Sequence, residues 1–151
     1  MDNVVDLQAY RQIQWNRIRE RAIGWLDPEE YRTYYEEMVS WVLARSPWYE
    51  RLLVEEVLFE TLLDGFCMGL EAGRRHREQN ASHDEIDTLF REQYSRQADE
   101  AVRHYCNKYR LFSVVNEWTW LSLQIVLDDC VQRWFHKGFQ EGIRQQKIRQ
   151  W

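Results

Sequence analysis

The sequence predicts an all-α fold: an up-and-down bundle of about five helices in a single domain over residues 1–151, its core formed by long third, fourth and fifth helices. Three observations carry this expectation. Helix-start signals recur at Asp27-Pro28-Glu29-Glu30, Ser46-Pro47 and Ser82-His83-Asp84-Glu85. Each supplies a capping oxygen or a proline where the first turn has N–H groups without partners. Apolar residues recur at three- and four-residue spacing, and no stretch sustains the alternation of a strand. The chain is 44% hydrophobic and 30% charged with both signs interspersed, a composition that folds around a core.

The start signals and the polar runs between them divide the chain in order. The first helix is expected near 6–25, with Leu7, Tyr10, Ile18, Ala22 and Trp25 turned inward. The second follows Asp27 and runs to about 44, carrying Tyr31, Tyr34, Tyr35, Met38 and Val42. The third is expected over about 47–78. A polar loop at Asn80-Ala81-Ser82 then leads to a fourth over about 83–109, whose stripe is Ile86, Leu89, Phe90, Tyr94, Ala101, Tyr105 and Tyr109. The fifth is expected from about 114 to the C-terminus.

The third helix contains Gly65, Gly69 and Gly73 at strict four-residue spacing. A glycine in a helix interior costs about 1 kcal/mol relative to alanine, so packing must offset the loss. At 100° per residue from Leu52, these glycines fall near about 220°, 260° and 300°, amid Leu58, Leu62, Phe66 and Leu70. Glu56, Glu60, Asp64, Glu71, Arg74 and Arg75 fall on the other side, which is expected to face water. "GFCMGL" (65–70) is echoed by "GFQEGI" (138–143), which adds Gly138 and Gly142. The two ridges are expected to make a close helix crossing, against each other or in a dimer mate, because glycine lets backbones approach. Gly69 is expected to resist substitution, and Gly73, near the helix end, to accept alanine. Gly24 reads as a C-terminal helix signal.

No constellation of residues predicts catalysis, and no metal or cofactor is expected. The acid stripe Glu56, Glu60, Asp64 lies on the polar face, and no Glu-x-x-His motif completes a di-metal site. His76, His83, His104 and His136 stand in polar surroundings, and His76 and His136 are expected to be solvated. Cys67 (at the edge of its polar face), Cys106 and Cys130 form no CxxC pair and read as reduced thiols. Glu55 and Asp128 fall on apolar faces, where a carboxylate needs a partner. They predict either a structural ion pair or a ligand pocket beside Asp128. Arg74, Arg75 and Arg77 on one helix, with Arg144, Lys147 and Arg149 on the other, could form one anion- or partner-binding patch, beside the terminal Trp151.

Net charge is −5, opposite to the balance of a nucleic-acid-binding domain. No apolar run reaches the length of a membrane span. The opening MDNVVDLQAY has neither the basic start nor the apolar centre of a signal peptide, so a cytoplasmic protein is expected. The opening "VVDLQAYR", the Gly65/Gly69 helix and the closing "WFHKGFQEGIRQQKIRQ", with Trp134, Gly138 and Phe139, resemble small uncharacterised helical proteins of Bacillus-type spore-forming bacteria. That resemblance implies a cytosolic all-helical protein and brings no activity or catalytic residue with it. Eight Trp and eight Tyr in 151 residues supply more aromatic surface than one core needs. The function expected is a non-catalytic interaction or regulatory protein, a homodimer or a binder of another protein. The alternative is a small-molecule binder or enzyme with an inter-helical pocket at Asp128.

Overall fold

The computed structural model describes residues 2–76 and 81–148, with side chains from Leu7 onward. Arg77, Asn80, Arg149 and Trp151 lie outside the described residues, as does the expected end of the third helix near 78. All regular structure among the described residues is helical. Seven segments follow in order: α1 (Asp2–Trp25), α2 (Pro28–Tyr34), α3 (Trp48–Arg75), α4 (His83–Leu89), α5 (Ser95–Lys108), α6 (Leu111–Val114) and α7 (Glu117–Lys147). A single wide π-helical turn extends α2 (Tyr35–Val39), and another joins α4 to α5 (Phe90–Tyr94). None of these helices is long and apolar enough to cross a membrane.

The local chemistry sets the boundaries. The Asp27 carboxylate accepts from the Glu29 N–H at 3.0 Å, with Pro28 as the first residue of α2. Ser82 Oγ accepts from the Glu85 N–H at 3.2 Å and starts α4. Pro47 precedes α3 in extended backbone rather than opening its first turn, and its carbonyl accepts from Glu50 and Arg51. The expected fifth helix is present as α7, and a short turn that was not expected, α6, precedes it. Arg110 adopts a left-handed φ of 50°, which ends α5 and admits the short turn α6. Asn116 then caps α7, its side chain accepting from the Thr119 N–H at 2.8 Å. The expected second helix also stops early, at Val39, and residues 40–47 cross to α3 with Val42 and Leu43 buried beneath them.

The segments make four passes. Arg19 of α1 meets Asp64 and Glu60 of α3, while Tyr31 of α2 meets Phe59, so α1 and α2 run in succession down α3, antiparallel to it. Tyr94 lies by Glu71 and Arg75, and Tyr105 by Glu60, so α4 and α5 also descend. The fourth pass, α7, therefore ascends parallel to α3.

The core lies between α3 and α7. Leu58, Leu62, Leu70, Leu127, Trp134, Phe135 and Phe139 are fully enclosed there. Phe90 and Tyr94, at the two ends of the second π turn, both pack on Phe135, with ring centroids 5.1 and 5.0 Å away. Tyr34 fastens α2 to α7: its ring meets Trp134 edge-on at 5.0 Å, and its O–H lies within hydrogen-bond distance of the Val126 carbonyl and Asp129.

Candidate functional site

Each predicted site residue other than Arg77 and Arg149 has a place among the described residues. The glycine ridges of α3 and α7 face each other at level height. A Cβ on any of Gly65, Gly69, Gly73, Gly138 or Gly142 would lie under 3.0 Å from backbone atoms of the opposite helix. For Gly65 the obstacle is the Val131 carbonyl oxygen at 2.5 Å, and for Gly142 that of Leu70 at 2.6 Å. Gly73, expected to accept alanine, faces the Phe139 carbonyl and the Gly142 backbone. Its position near the helix end brings no relief, because α7 continues beside it. Gly24 has nothing within 4 Å of its position.

The middle of the polar face of α3, at Glu60 and Asp64, is a seat for α1 rather than open surface, while Glu56, Arg74 and Arg75 are exposed. Arg19 reaches Glu60 at 2.6 Å and also pairs with Asp64, and its guanidinium donates to the Tyr105 hydroxyl at 3.1 Å. One guanidinium with five donors thereby joins α1, α3 and α5. Glu55 is half-buried and has the tyrosine partner its position called for, accepting from Tyr35. Burial first, and then Glu55, raise the Tyr35 hydroxyl above its ordinary value.

Asp128 is exposed rather than buried, which removes the ground for a pocket there. Partial desolvation first, and then the Asp99 carboxylate, hold its own carboxyl above the usual range. All three cysteines are buried, Cys67 included, and burial pushes its thiol up to about 12. The carrier of a reactive thiolate is therefore not found among them. His136 is not solvated: it lies half-buried against Asp87 at 2.5 Å.

The basic helix ends do meet, since Gln146 of α7 donates to the Arg74 carbonyl of α3. Charge there is largely met at home. Arg75 pairs with Glu71 at 2.7 Å, and Arg144 is held by both carboxylate oxygens of Glu141 at 2.8 and 3.0 Å. Lys147 is exposed.

What the sequence reading did not pick out is a continuous apolar seam on the outer side of α7. Trp118, Leu121 and Ile125 are 56%, 57% and 71% exposed. Their i, i+3, i+7 spacing is that of a helix–helix contact, and Asp128 occupies the next position of the heptad. Trp41 meets Trp118 edge-on at 6.1 Å and broadens the N-terminal end of the seam. The signal was present: the first half of α7 is apolar on two sides, at Leu123, Val126 and Leu127 inward and at Leu121 and Ile125 outward.

A second unpartnered face lies on α1. Leu7 and Tyr10, expected inward, are exposed together with Ile13, because Trp15, Ile18 and Ala22 take the side toward the core. Arg17 and Arg21 continue the same outer face, exposed and with no acidic partner among the described residues. No family model, curated protein or solved structure matches the chain.

Proposed function

We propose that the chain is a non-catalytic, cytoplasmic interaction protein that pairs with a second copy of itself, the outer seam of α7 receiving α1 of its mate. The observation that carries this reading is the match between the two unpartnered faces. One reads Trp118, Leu121, Ile125, Asp128; the other reads Leu7, Tyr10, Gln14, Arg17. Set parallel at a constant offset, Leu7 meets Trp118 and Tyr10 meets Leu121, half-buried Gln14 meets Ile125, and Arg17 meets Asp128, whose neighbour Asp99 adds a second negative charge. Within one chain α1 runs antiparallel to α7. A two-fold axis perpendicular to the bundle reverses the mate, so its α1 runs parallel to α7 as the register requires, and the same contact forms twice.

The test is mass measured by sedimentation across protein concentration. A dimer is expected whose dissociation constant rises about tenfold or more on Ile125→Glu. Asp128→Arg and Arg17→Asp should each weaken it, and the two together should restore it. A parent chain that stays monomeric at high concentration refutes the reading, as does a dimer indifferent to all of these changes. A dimer weakened by Ile125→Glu but not rescued by the charge exchange places a different surface of the mate on the seam and overturns the α1 assignment.

A further inference from the structure

The start of α4 and the middle of α7 bring three metal-ligating side chains together, from positions 49 residues apart in the chain. His83 is the first residue of α4, and Asp87 lies one turn later on the same face. His136 projects from α7 between them and the core. Asp87 Oδ1 is 2.5 Å from His136 Nε2, and Asp87 Oδ2 is 3.3 Å from His83 Nδ1. One ligand atom from each residue lies within 4.8 Å of the other two. The imidazole rings stack with centroids 4.3 Å apart. Gln132, one turn before His136 on α7, donates to the same Asp87 oxygen at 3.0 Å and fixes the carboxylate.

We propose that His83, Asp87 and His136 form a binding site for a first-row divalent transition ion such as zinc. Two imidazoles and one carboxylate are the donor set that zinc, cobalt and nickel prefer, and one that magnesium and calcium do not. Zinc holds such atoms at about 2.0–2.2 Å, so tetrahedral ligands lie roughly 3.3 Å from one another. Asp87 Oδ2 is already at that spacing from His83 Nδ1, while Oδ1 and His136 Nε2, in direct hydrogen-bond contact at 2.5 Å, must part by roughly 0.8 Å to admit the ion. His83, whose side chain is 77% exposed, is able to turn and complete the set, while Gln132 keeps the Asp87 carboxylate beside His136.

The geometry also limits the site. His136 Nδ1 is buried without a hydrogen-bond partner. A ligating imidazole ordinarily donates its second N–H, and losing that partner costs about 10- to 100-fold in affinity. Micromolar rather than nanomolar binding is therefore expected. The role that follows is structural: an ion bridging α4 and α7 would reinforce the beginning of the third pass, which buried Ile86 and the Asp87 contacts with Gln132 and His136 attach to the core. Nothing in this inference depends on self-association.

The experiment titrates the full chain, stripped with chelator, with cobalt(II) or zinc(II) alone. One equivalent of cobalt is expected to give a saturable visible spectrum with imidazole–carboxylate character. A hundredfold excess of zinc over its dissociation constant should raise the melting temperature by about 5–10 °C. Magnesium should do neither. His83→Ala, at an exposed position that leaves the fold intact, should weaken cobalt binding at least tenfold, and Asp87→Asn should abolish it. His136→Ala should do the same where circular dichroism shows the parent's helicity. Absence of a saturable spectrum in the parent overturns the proposal, as does cobalt binding unchanged in both His83→Ala and Asp87→Asn.

Discussion

Replacing Gly69 by alanine adds one methyl group at the tightest point between α3 and α7. The new Cβ would fall under 3.0 Å from three backbone atoms of α7: the carbonyl carbon and oxygen of Phe135 and the amide nitrogen of Phe139. Real Cβ contacts are essentially never under 3.0 Å, and none of these atoms can rotate away as a side-chain tip could. The helices must separate, which loosens contacts along the whole ridge, since Gly65 and Gly73 on one side and Gly138 and Gly142 on the other share the same close approach. Overpacking of this kind costs about 1–3 kcal/mol, occasionally more, and backbone on both sides places Gly69 at the upper end. Helix propensity acts in the opposite direction by about 1 kcal/mol. The net expectation is a loss of about 2 kcal/mol, or about 4–8 °C in melting temperature for a chain of this size.

Gly24→Ala is the matched control. It lies inside α1 with an ordinary φ and nothing within 4 Å, so only propensity acts, and it should melt at or slightly above the parent. Differential scanning calorimetry on both variants reads the difference directly. If Gly69→Ala melts no lower than Gly24→Ala, the two backbones do not touch at this ridge and the reasoning fails. Gly73→Ala is expected to behave like Gly69→Ala, against the expectation drawn from its place near the helix end.

Two further changes probe the electrostatics. Arg19→Met keeps the stem of the side chain but leaves Glu60 and Asp64 facing each other without a cation at a mostly enclosed site. A loss of about 2–4 kcal/mol is expected in chemical denaturation, and a loss below about 0.5 kcal/mol would show that the cluster does not hold α1 in place. Asp128→Asn tests a raised carboxyl. Because the folded chain holds this proton more tightly than the unfolded one, stability falls as pH rises through the carboxylate range and stays lower above it. The variant should therefore be more stable than the parent at neutral pH, by under about 1 kcal/mol given its exposure, and equal to it below about pH 3, both measured in dilute, monomeric protein. A variant less stable at neutral pH would mean that Asp128 has a favourable partner in the folded chain.

The sequence by itself determined the helical class and most helix starts, because these depend on contacts within one turn. Asp27 and Ser82 cap the helices that follow them whatever lies around them. The glycine spacing likewise marked two faces capable of close approach, since periodicity is a property of one helix. Which face met which was not local. Glu60 and Asp64 on the charged side of α3 looked solvated on the wheel, and only the placement of Arg19, 41 residues from Glu60, made them a largely enclosed contact. Leu7, Tyr10 and Asp128 were assigned inward by pattern, yet α1 leaves the side with Leu7 and Tyr10 exposed and α7 turns Asp128 to water. The meeting of His83 and Asp87 with His136 was equally invisible, because it needs α4 and α7 to pack at one particular height. That height is fixed by the left-handed Arg110 and the cap at Asn116, which set where the last pass begins. Tertiary structure decided what each helix face touches, since every amphipathic helix offers an apolar stripe but cannot specify its occupant.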